Sequence, residues 1–379
     1  MKVLFLGEFS GVFTELIPAL RERGIETFLI SSGDGFKGYK ADFNTSYPIK
    51  QRSFFGRILK KIFINGTGFL GITDFLKMWP KLKDKLRGYD VVQLNNDYPL
   101  NFGSNIMLYI LHYVFKHNGK IYLSALGDDY VIDRYEYHNN FKRFQALSIY
   151  RKKIYMIKLF IFRFAVNKYV LKHVQAICPG MYRYKQAYAD NPKTCDRIFP
   201  FAISENKIGE PLRINPDEPV IIFHGWQIGR ENSKGNDVFD RVIRKVVDKY
   251  GSKVKYILVK SVPYEKYCEL LKKAHIFIDQ LYAEDKGMNG LLGMAAGKVV
   301  FSGFRSEALA LYPYYNNNVI GINSYDDEEY LFRRFCELID NPSLLEEISL
   351  NAIDFVLHNH INSVVADLYC HLWGIGHKI

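Results

Sequence analysis

Short apolar runs and longer amphipathic segments follow one another along this chain. The short runs, bounded by turn residues, predict buried strands, at 2–8, 25–35, 90–96, 120–129, 174–180 and 196–203. Apolar residues at helical spacing predict helices at 14–24 and 105–119, each closed by a glycine. Strand–helix alternation of this kind indicates a parallel sheet covered on both faces.

The same pattern restarts after a polar stretch at 203–218, which is typical of a linker. Further strands are predicted at 219–225, 254–260, 274–281, 298–303 and 318–322, with helices at 235–250, at 263–273 and from 326 onward. A chain of 379 residues is too long for one ordinary core and suggests two domains. The fold class predicted is therefore α/β, with two Rossmann-like doubly wound parallel-sheet domains facing across a cleft.

Charge divides the two halves. The chain carries a net charge of +11, yet residues 1–200 hold 31 Lys and Arg against 16 Asp and Glu, whereas residues 201–379 hold 20 against 24. The excess is concentrated at 50–61 and at 137–189, and neither segment contains an acidic residue. Such a split indicates a basic surface that meets an anion.

The cysteines and the lengths of the apolar runs indicate the cellular compartment. The five cysteines are scattered without a C-x-x-C pair, so neither a disulfide framework nor a zinc site is expected. The histidines show no metal spacing and D-x-D is absent, so no metal site is predicted. The start of the chain does not resemble a signal peptide, and no apolar run reaches the ~20 residues of a membrane span. The expected location is cytoplasmic, soluble or peripheral on the inner face of the membrane.

Ligands of doubly wound sheets bind beyond the carboxyl ends of the strands. After the strand at 219–225 comes "WQIGRENSKGND", where Arg230, Lys234 and Gly235 precede a helix. Two cations and a helix N-terminus form a natural phosphate site. The alternative is an exposed polar loop with incidental charge.

Acidic residues follow two other strands. Asp128 and Asp129 could orient an acceptor hydroxyl or take its proton, or they could simply cap a helix. Asp279, Gln280 and Glu284 could bond hydroxyls of a sugar or ribose, or belong to a solvated loop.

Two glycine-rich stretches complete the predicted site. "GEFSG" supplies Gly7, Ser10 and Gly11 as a tight turn that admits a sugar-sized ligand, although it lacks the dinucleotide fingerprint G-x-G-x-x-G. "MNGLLGMAAGKVVFSG" (288–303) has no charged residue from Met288 to Ala296. Its glycines let a ligand approach the backbone closely. The donor-binding residues predicted around these strand ends are Gly225, Asn289, Gly290 and Leu291.

These segments resemble the GT-B glycosyltransferases of the retaining "group 1" kind, found in bacterial surface-polysaccharide synthesis. "FHGWQIGRENSKG" is similar to the family's donor-phosphate signature, which places that role on Arg230 and Lys234. "GMAAGKVVFSG" is similar to the segment that follows the family's E-x(7)-E pair. The resemblance implies an N-terminal acceptor domain (1–203), a C-terminal nucleotide-sugar domain (204–355), and a last segment (356–379) packing back toward the first domain.

One departure from the family pattern concerns the donor ribose. The first glutamate of the pair falls on Glu284, near the transferred sugar, whereas the second falls on Leu292. Leucine cannot accept hydrogen bonds from ribose hydroxyls. Ribose binding must therefore weaken, move to another residue, or be absent.

The activity implied by the resemblance is transfer of a sugar, with retention and without metal, to a hydroxyl of a glycan or lipid-linked acceptor. Asp128, Asp129 and Glu284 would be its catalytic residues. No cofactor is implied beyond the nucleotide-sugar substrate, with a UDP-sugar favoured over a GDP-sugar. An alternative is a catalytically degenerate GT-B protein that binds a glycan or a partner, because Leu292 replaces an acid.

Basic amphipathic segments at 53–63 and 151–173 predict binding to an anionic membrane surface. The alternative for 151–173 is a core helix with a solvated basic face. A nucleic-acid-binding protein is a further alternative, which the aliphatic character of both segments disfavours.

Overall fold

The computed structural model describes residues 1–33, 38–45, 72–226, 228–229, 231–260, 262 and 264–375. The predictions for Arg230 and for the basic segments 50–61 and 53–63 lie outside these residues. The chain divides into two compact units. The first comprises Met1–Pro200 and the chain from Ala366 onward, and the second comprises Phe201–Val365.

A six-stranded parallel sheet forms the first unit, in the order β3-β2-β1-β4-β5-β6. Its strands are β1 (Lys2–Leu6), β2 (Glu26–Ser31), β3 (Phe43–Asn44), β4 (Val91–Leu94), β5 (Lys120–Ala125) and β6 (Ala176–Pro179). Val3 to Leu6 are all fully buried, as expected for a strand covered on both faces.

Helices connect these strands. They are α1 (Val12–Glu22), α2 (Ile72–Leu82), α3 (Ser104–His117), α4 (Tyr130–His138), α5 (Lys142–Gln145), α6 (Ile149–His173) and α7 (Tyr182–Ala187). Helix α1 shows why they form: Phe13, Leu16, Ile17 and Leu20 repeat at helical spacing, and all four are buried.

The second unit contains a five-stranded parallel sheet in the order β11-β10-β9-β7-β8. Its strands are β7 (Val220–Trp226), β8 (Val254–Lys260), β9 (Ile276–Ile278), β10 (Val299–Ser302) and β11 (Ile322–Asn323). Its helices are α8 (Glu231–Lys234), α9 (Asn236–Tyr250), α10 (Tyr264–Lys272), α11 (Met288–Ala295), α12 (Ser306–Leu309), α13 (Glu328–Asp340) and α14 (Pro342–Asn359). Helix α15 (Asn362–Trp373) runs from the second unit into the part of the chain that belongs to the first.

The predicted fold class, α/β with two parallel sheets, is confirmed. One predicted strand, at 196–203, is wrong, and another, predicted at 318–322, shares only Ile322 with the observed β11. Residues 196–203 form no named strand, and Ile203 makes only an isolated bridge with Ile361. Pro200 has no N–H to donate to a ladder, which explains why the apolar run does not extend the sheet.

Candidate functional site

The carboxyl edge of the second sheet gathers most of the predicted donor-side residues. Strand β7 lies between β8 and β9. The chain passes from β7 to β8 on one side and then crosses back to β9 on the other side of β7. The segments after β7 and β9 therefore meet at the switch point of this sheet, where open α/β folds bind ligands.

Lys234 and Asp279 join the segments after β7 and β9. The Lys234 ammonium lies 3.2 Å from Asp279 Oδ1, and the Asp279 side chain is 1% exposed. Asp279 Oδ2 accepts a hydrogen bond from Ser302 Oγ at 2.9 Å. The carboxylate thus holds the ammonium in place while about a fifth of the lysine side chain (19%) remains exposed.

Two helices begin here without a side-chain cap. Helix α9 follows Gly235, and α11 follows Gly287; neither glycine has a side chain that could cap the first turn of its helix. Helix α11 also lacks an acidic residue in its first turn. Both N-termini carry the positive end of a helix dipole, which favours an anion.

Close packing explains the glycines of this edge. A Cβ on Gly290 would lie 2.7 Å from Asp279 Oδ2, and a Cβ on Gly225 would lie 2.6 Å from the Tyr267 ring. Gly235 has a φ of 68° and would place a Cβ 2.6 Å from Leu281. A larger residue at position 235 or 290 would therefore collide with the segment that carries Asp279 and Leu281.

A buried polar chain runs behind the start of α9 and was not predicted from the sequence. His224 Nδ1 bonds the Tyr256 hydroxyl at 2.8 Å, and His224 Nε2 lies 3.0 Å from Asn236 Oδ1. The Tyr256 hydroxyl oxygen also lies 3.0 Å from Asp240 Oδ1. Burial lowers the pKa of His224 to about 4. Asn236 Nδ2 is buried and has no partner among the described residues.

The remaining predicted donor residues differ in accessibility. Leu291 is fully buried, so its side chain packs in the core. Asn289 donates to the Tyr267 hydroxyl at 3.3 Å, and Gln280 Nε2 lies 3.4 Å from the Asp285 carbonyl. Glu284 is half-buried, and its carbonyl accepts from Arg305 N. Leu292, at the position of the missing acid, is also half-buried.

In the first unit, the segments after β1, β4 and β5 come together. Gly7 has a φ of 91°, and a Cβ there would lie 2.8 Å from the Pro99 carbonyl oxygen. Ser10 and Gly11 also have positive φ values, of 57° and 85°. Three of these five residues have a left-handed backbone conformation, which glycine adopts without steric cost. This explains the glycines of "GEFSG".

Glu8 lies within that turn and was missed by the sequence analysis. Its Oε2 accepts from the backbone N–H groups of Phe13 (3.1 Å) and Thr14 (2.8 Å), so it caps the start of α1. Burial raises the pKa of Glu8 to about 7. No local spacing rule distinguishes such a cap from an exposed loop acid.

Asp128 and Asp129 differ sharply. The Asp128 side chain is 71% exposed and lies 3.3 Å from Arg143. Asp129 is wholly buried: its oxygens accept from Ile132 N at 2.7 Å and from the Tyr188 hydroxyl at 2.6 Å. Burial, reinforced by the nearby Asp97, raises the pKa of Asp129 well above its usual value. Asp129 thus caps α4, and a ligand hydroxyl could reach only Asp128 of this pair.

Two further features concern the described residues as a whole. No group of three or more His, Cys, Asp or Glu among them could hold a metal ion. Within the same ranges, no helix is both long and apolar enough to cross a membrane.

Comparison with solved structures identifies the fold. Sucrose-phosphate synthase from Thermosynechococcus elongatus matches 99% of this chain over 99% of its own, with a TM-score of 0.61 and 14% identity. Anabaena HepE, solved in complex with UDP and glucose, matches 98% of this chain over 99% of its own (TM-score 0.58, 11% identity). UDP-GlcNAc 2-epimerase from Neisseria meningitidis, bound to UDP-GlcNAc, matches 98% over 99% (TM-score 0.50, 13% identity).

The fold is therefore that of the GT-B proteins. No protein-family model matches the chain, and no curated protein matches its sequence.

Proposed function

We propose that this protein is a glycosyltransferase that moves a sugar from a nucleoside diphosphate donor to a hydroxyl group of an acceptor. The donor binds the second unit, at the carboxyl edge of β7 and β9, and the acceptor binds the first. Support comes from the GT-B fold, shared with proteins solved in complex with UDP and glucose or with UDP-GlcNAc.

The observation that carries the proposal is the Lys234–Asp279 pair beside two uncapped helix N-termini. The buried carboxylate fixes the ammonium, so little side-chain freedom remains to be lost when an anion binds. A Cβ on Gly290, in the first turn of α11, would lie 2.7 Å from Asp279 Oδ2, so the carboxylate that binds the lysine lies close to the second helix N-terminus. A diphosphate provides the two anionic groups that such an arrangement suits.

The chemistry follows from where charge develops. Breaking the bond between the sugar and the diphosphate leaves negative charge on the departing phosphate. Lys234 and the dipoles of α9 and α11 stabilise that charge without a metal ion. Asn236 Nδ2, a buried donor at the first residue of α9, supplies a further hydrogen bond if it reaches a phosphate oxygen.

The acceptor side is assigned to the exposed Asp128, which orients the hydroxyl or accepts its proton. Glu284 contacts the transferred sugar. A UDP-sugar is the favoured donor, transfer proceeds with retention, and the acceptor is a glycan or a lipid-linked oligosaccharide in cell-surface polysaccharide synthesis. The protein acts in the cytoplasm.

A second candidate function is a GT-B protein that binds a glycan or a partner without catalysis. Leu292 favours it, because a leucine offers no acceptor to the ribose hydroxyls where the family has an acid. This candidate and the transferase differ in turnover, even if both bind UDP.

Titration of UDP into the protein by calorimetry tests the phosphate assignment. Lys234→Met alone would leave the Asp279 carboxylate buried without its partner, which costs stability on its own. The informative variant is therefore Lys234→Met combined with Asp279→Asn. We expect it to bind UDP about ten- to a hundredfold more weakly, as for loss of a charge-assisted hydrogen bond.

Lys255→Met is the matched control, since Lys255 is an exposed lysine on β8. It should bind UDP like the unmodified protein. Equal affinity of the Lys234/Asp279 double variant and the control would reject the phosphate assignment.

A further inference from the structure

Helix α6 presents an unusual exposed face. Its buried residues are Leu159, Val166, Asn167 and Val170, of which Val166 and Val170 belong to the core of the first unit. Its exposed side carries large apolar residues: Ile149 (74% exposed), Tyr150 (72%), Ile157 (58%), Phe160 (56%) and Ile161 (60%). Single exposed apolar residues are ordinary, but five on one helix form a patch that marks an interaction surface.

The spacing places these residues together with cations. Tyr150, Ile157, Ile161, Lys168 and Lys172 are separated by seven or four positions, so they share one face of the helix. Lys153 lies on that face as well, four residues before Ile157. The face therefore alternates apolar and basic side chains over the length of α6.

Not all the positive charge between 137 and 189 belongs to this surface. Arg143 pairs with Asp133 at 2.6 Å and also contacts Asp128 and Glu136. Arg183 pairs with Glu136 at 2.8 Å, and Arg163 donates to the Asp128 carbonyl at 2.9 Å. These three arginines therefore bind groups of the first unit itself.

The exposed cations of α6 are different. Arg151, Lys153, Lys158, Lys168 and Lys172 are exposed, and none forms an ion pair with an acidic side chain in the described part of the chain. Helix α6 itself contains no Asp or Glu. Its outer face is thus apolar and cationic, without internal neutralisation.

Charge complementarity selects the occupant. A second copy packed symmetrically on α6 would place these cations opposite one another, which is unfavourable. The phosphates of a nucleic acid would neutralise the lysines, and Tyr150 and Phe160 could stack on bases. The aliphatic side chains of Ile149, Ile157 and Ile161, however, provide no ring on which a base could stack. A surface of anionic lipid satisfies both components at once, since headgroups meet the lysines and the acyl boundary accepts the apolar side chains.

We infer that α6 docks the first unit on an anionic lipid surface, with its axis along that surface. Tyr150, Ile157, Phe160 and Ile161 insert at the headgroup boundary, and Lys153, Lys168 and Lys172 contact the headgroups. This inference rests on the first unit alone and does not depend on the proposed sugar transfer. Combined with that function, it favours an acceptor presented at the membrane.

Co-sedimentation of the full chain with vesicles tests the inference. Vesicles of phosphatidylcholine with 30% phosphatidylglycerol, an amount chosen as roughly that of an anionic membrane, should bind the protein, and pure phosphatidylcholine should bind it far less. Lys153→Gln with Lys168→Gln should weaken binding about 25-fold, at about fivefold for each cation. Ile157→Ser with Ile161→Ser should weaken it at least about tenfold, through lost apolar insertion.

Matched controls come from the second unit. Leu350→Ser with Leu357→Ser removes two exposed leucines from α14, and Lys253→Gln with Lys255→Gln removes two exposed lysines. Both controls should bind vesicles normally. No binding to anionic vesicles, or equal losses in the α6 variants and controls, would overturn the inference.

Two other readouts separate the competing occupants and functions. A dimer detected by light scattering and abolished by the α6 variants, or displacement of vesicles by single-stranded DNA at equal phosphate concentration, would count against a lipid partner. UDP affinity should be unchanged in the α6 variants, so failure of the lipid inference is distinguishable from failure of the proposed transferase function.

Discussion

Leu292 is the residue at which this chain departs most clearly from the pattern it resembles. It is half-buried on α11, two residues after Gly290, which lies close to Asp279. In the proposed transferase, an acid at this position would accept hydrogen bonds from the donor ribose. Its replacement by leucine removes that acceptor without disturbing the glycines around it.

Leu292→Glu should therefore tighten UDP binding, by about tenfold if one charged hydrogen bond forms. Leu292→Met is the control, since it keeps the apolar volume. The gain should be smaller with 2′-deoxy-UDP, which lacks one of the two hydroxyls. A glutamate variant that binds UDP no better than the methionine control would show that the ribose is held elsewhere.

His224 shows that local sequence rules do not predict the hydrogen-bond partners of a buried residue. Its position within an apolar strand is evident from the sequence, but its partners Tyr256 and Asn236 come from β8 and α9. Burial is the largest cause of its lowered pKa; Asp240 opposes the shift, whereas Lys234 and Lys260 add to it. The neutral imidazole is thus part of the folded structure.

His224 should titrate with a midpoint near pH 4 when its ring signals are followed by NMR, against 6.5 for an unfolded histidine. Between these values the unfolded chain binds more protons, so stability falls as the pH falls from 6.5 to 4. The contribution is complete above pH 6.5, and about 3 kcal/mol is lost by pH 4. A midpoint near 6.5 would contradict the buried, neutral assignment.

At the scale of elements, the segment before α11 rests on a buried ion pair. Lys286 Nζ lies 3.1 Å from Asp285 Oδ1 and 3.8 Å from the centroid of the Tyr312 ring. The side chains of Lys286 and Asp285 are each 1% exposed. Burial lowers the pKa of Lys286, although Asp285 opposes that shift. The pair lies in the turn that follows Glu284 and leads into α11.

Lys286→Met should destabilise the second unit by about 3 kcal/mol, because it removes the ammonium group that lies beside the buried Asp285 carboxylate. Lys286→Met combined with Asp285→Asn should recover most of that loss. Urea unfolding of the single and double variants measures both values. No recovery in the double variant would mean that packing around Lys286, and not charge pairing, sets the cost.

The elements themselves were largely predictable, and the reason is physical. Strands such as Lys2–Leu6 and helices such as Val12–Glu22 follow a local period in the sequence. The role of Asp129 was not predictable to the same degree, because a cap and a catalytic acid occupy the same position after a strand. Tyr188, which distinguishes them here, lies 59 residues further along the chain.

At the scale of the whole molecule, the end of the chain completes the first unit. Trp373 is buried, its indole N–H donates to Gln93 at 3.2 Å, and its ring lies 6.1 Å from that of Phe5. Asp367 pairs with Arg23 at 2.8 Å. Residues more than 270 positions apart in sequence thus share one core, which periodicity alone does not reveal.

Trp373→Ala should destabilise the first unit by about 3–5 kcal/mol, the cost of deleting a large buried aromatic side chain. Hydrogen exchange resolves the effect: amides of β1 and β4 should lose protection, whereas those of β7 and β9 should not. Equal loss in both sheets would show that the two units unfold together.

Turnover with a panel of nucleotide sugars tests the central claim most directly. Release of the nucleoside diphosphate is followed with UDP- and GDP-sugars, in the presence of a glycan or lipid-linked hydroxyl acceptor. We predict acceptor-dependent release of UDP that the Lys234/Asp279 double variant lowers strongly and Lys255→Met leaves unchanged. No release from any donor, together with intact UDP binding, would contradict the transferase and leave the non-catalytic GT-B protein.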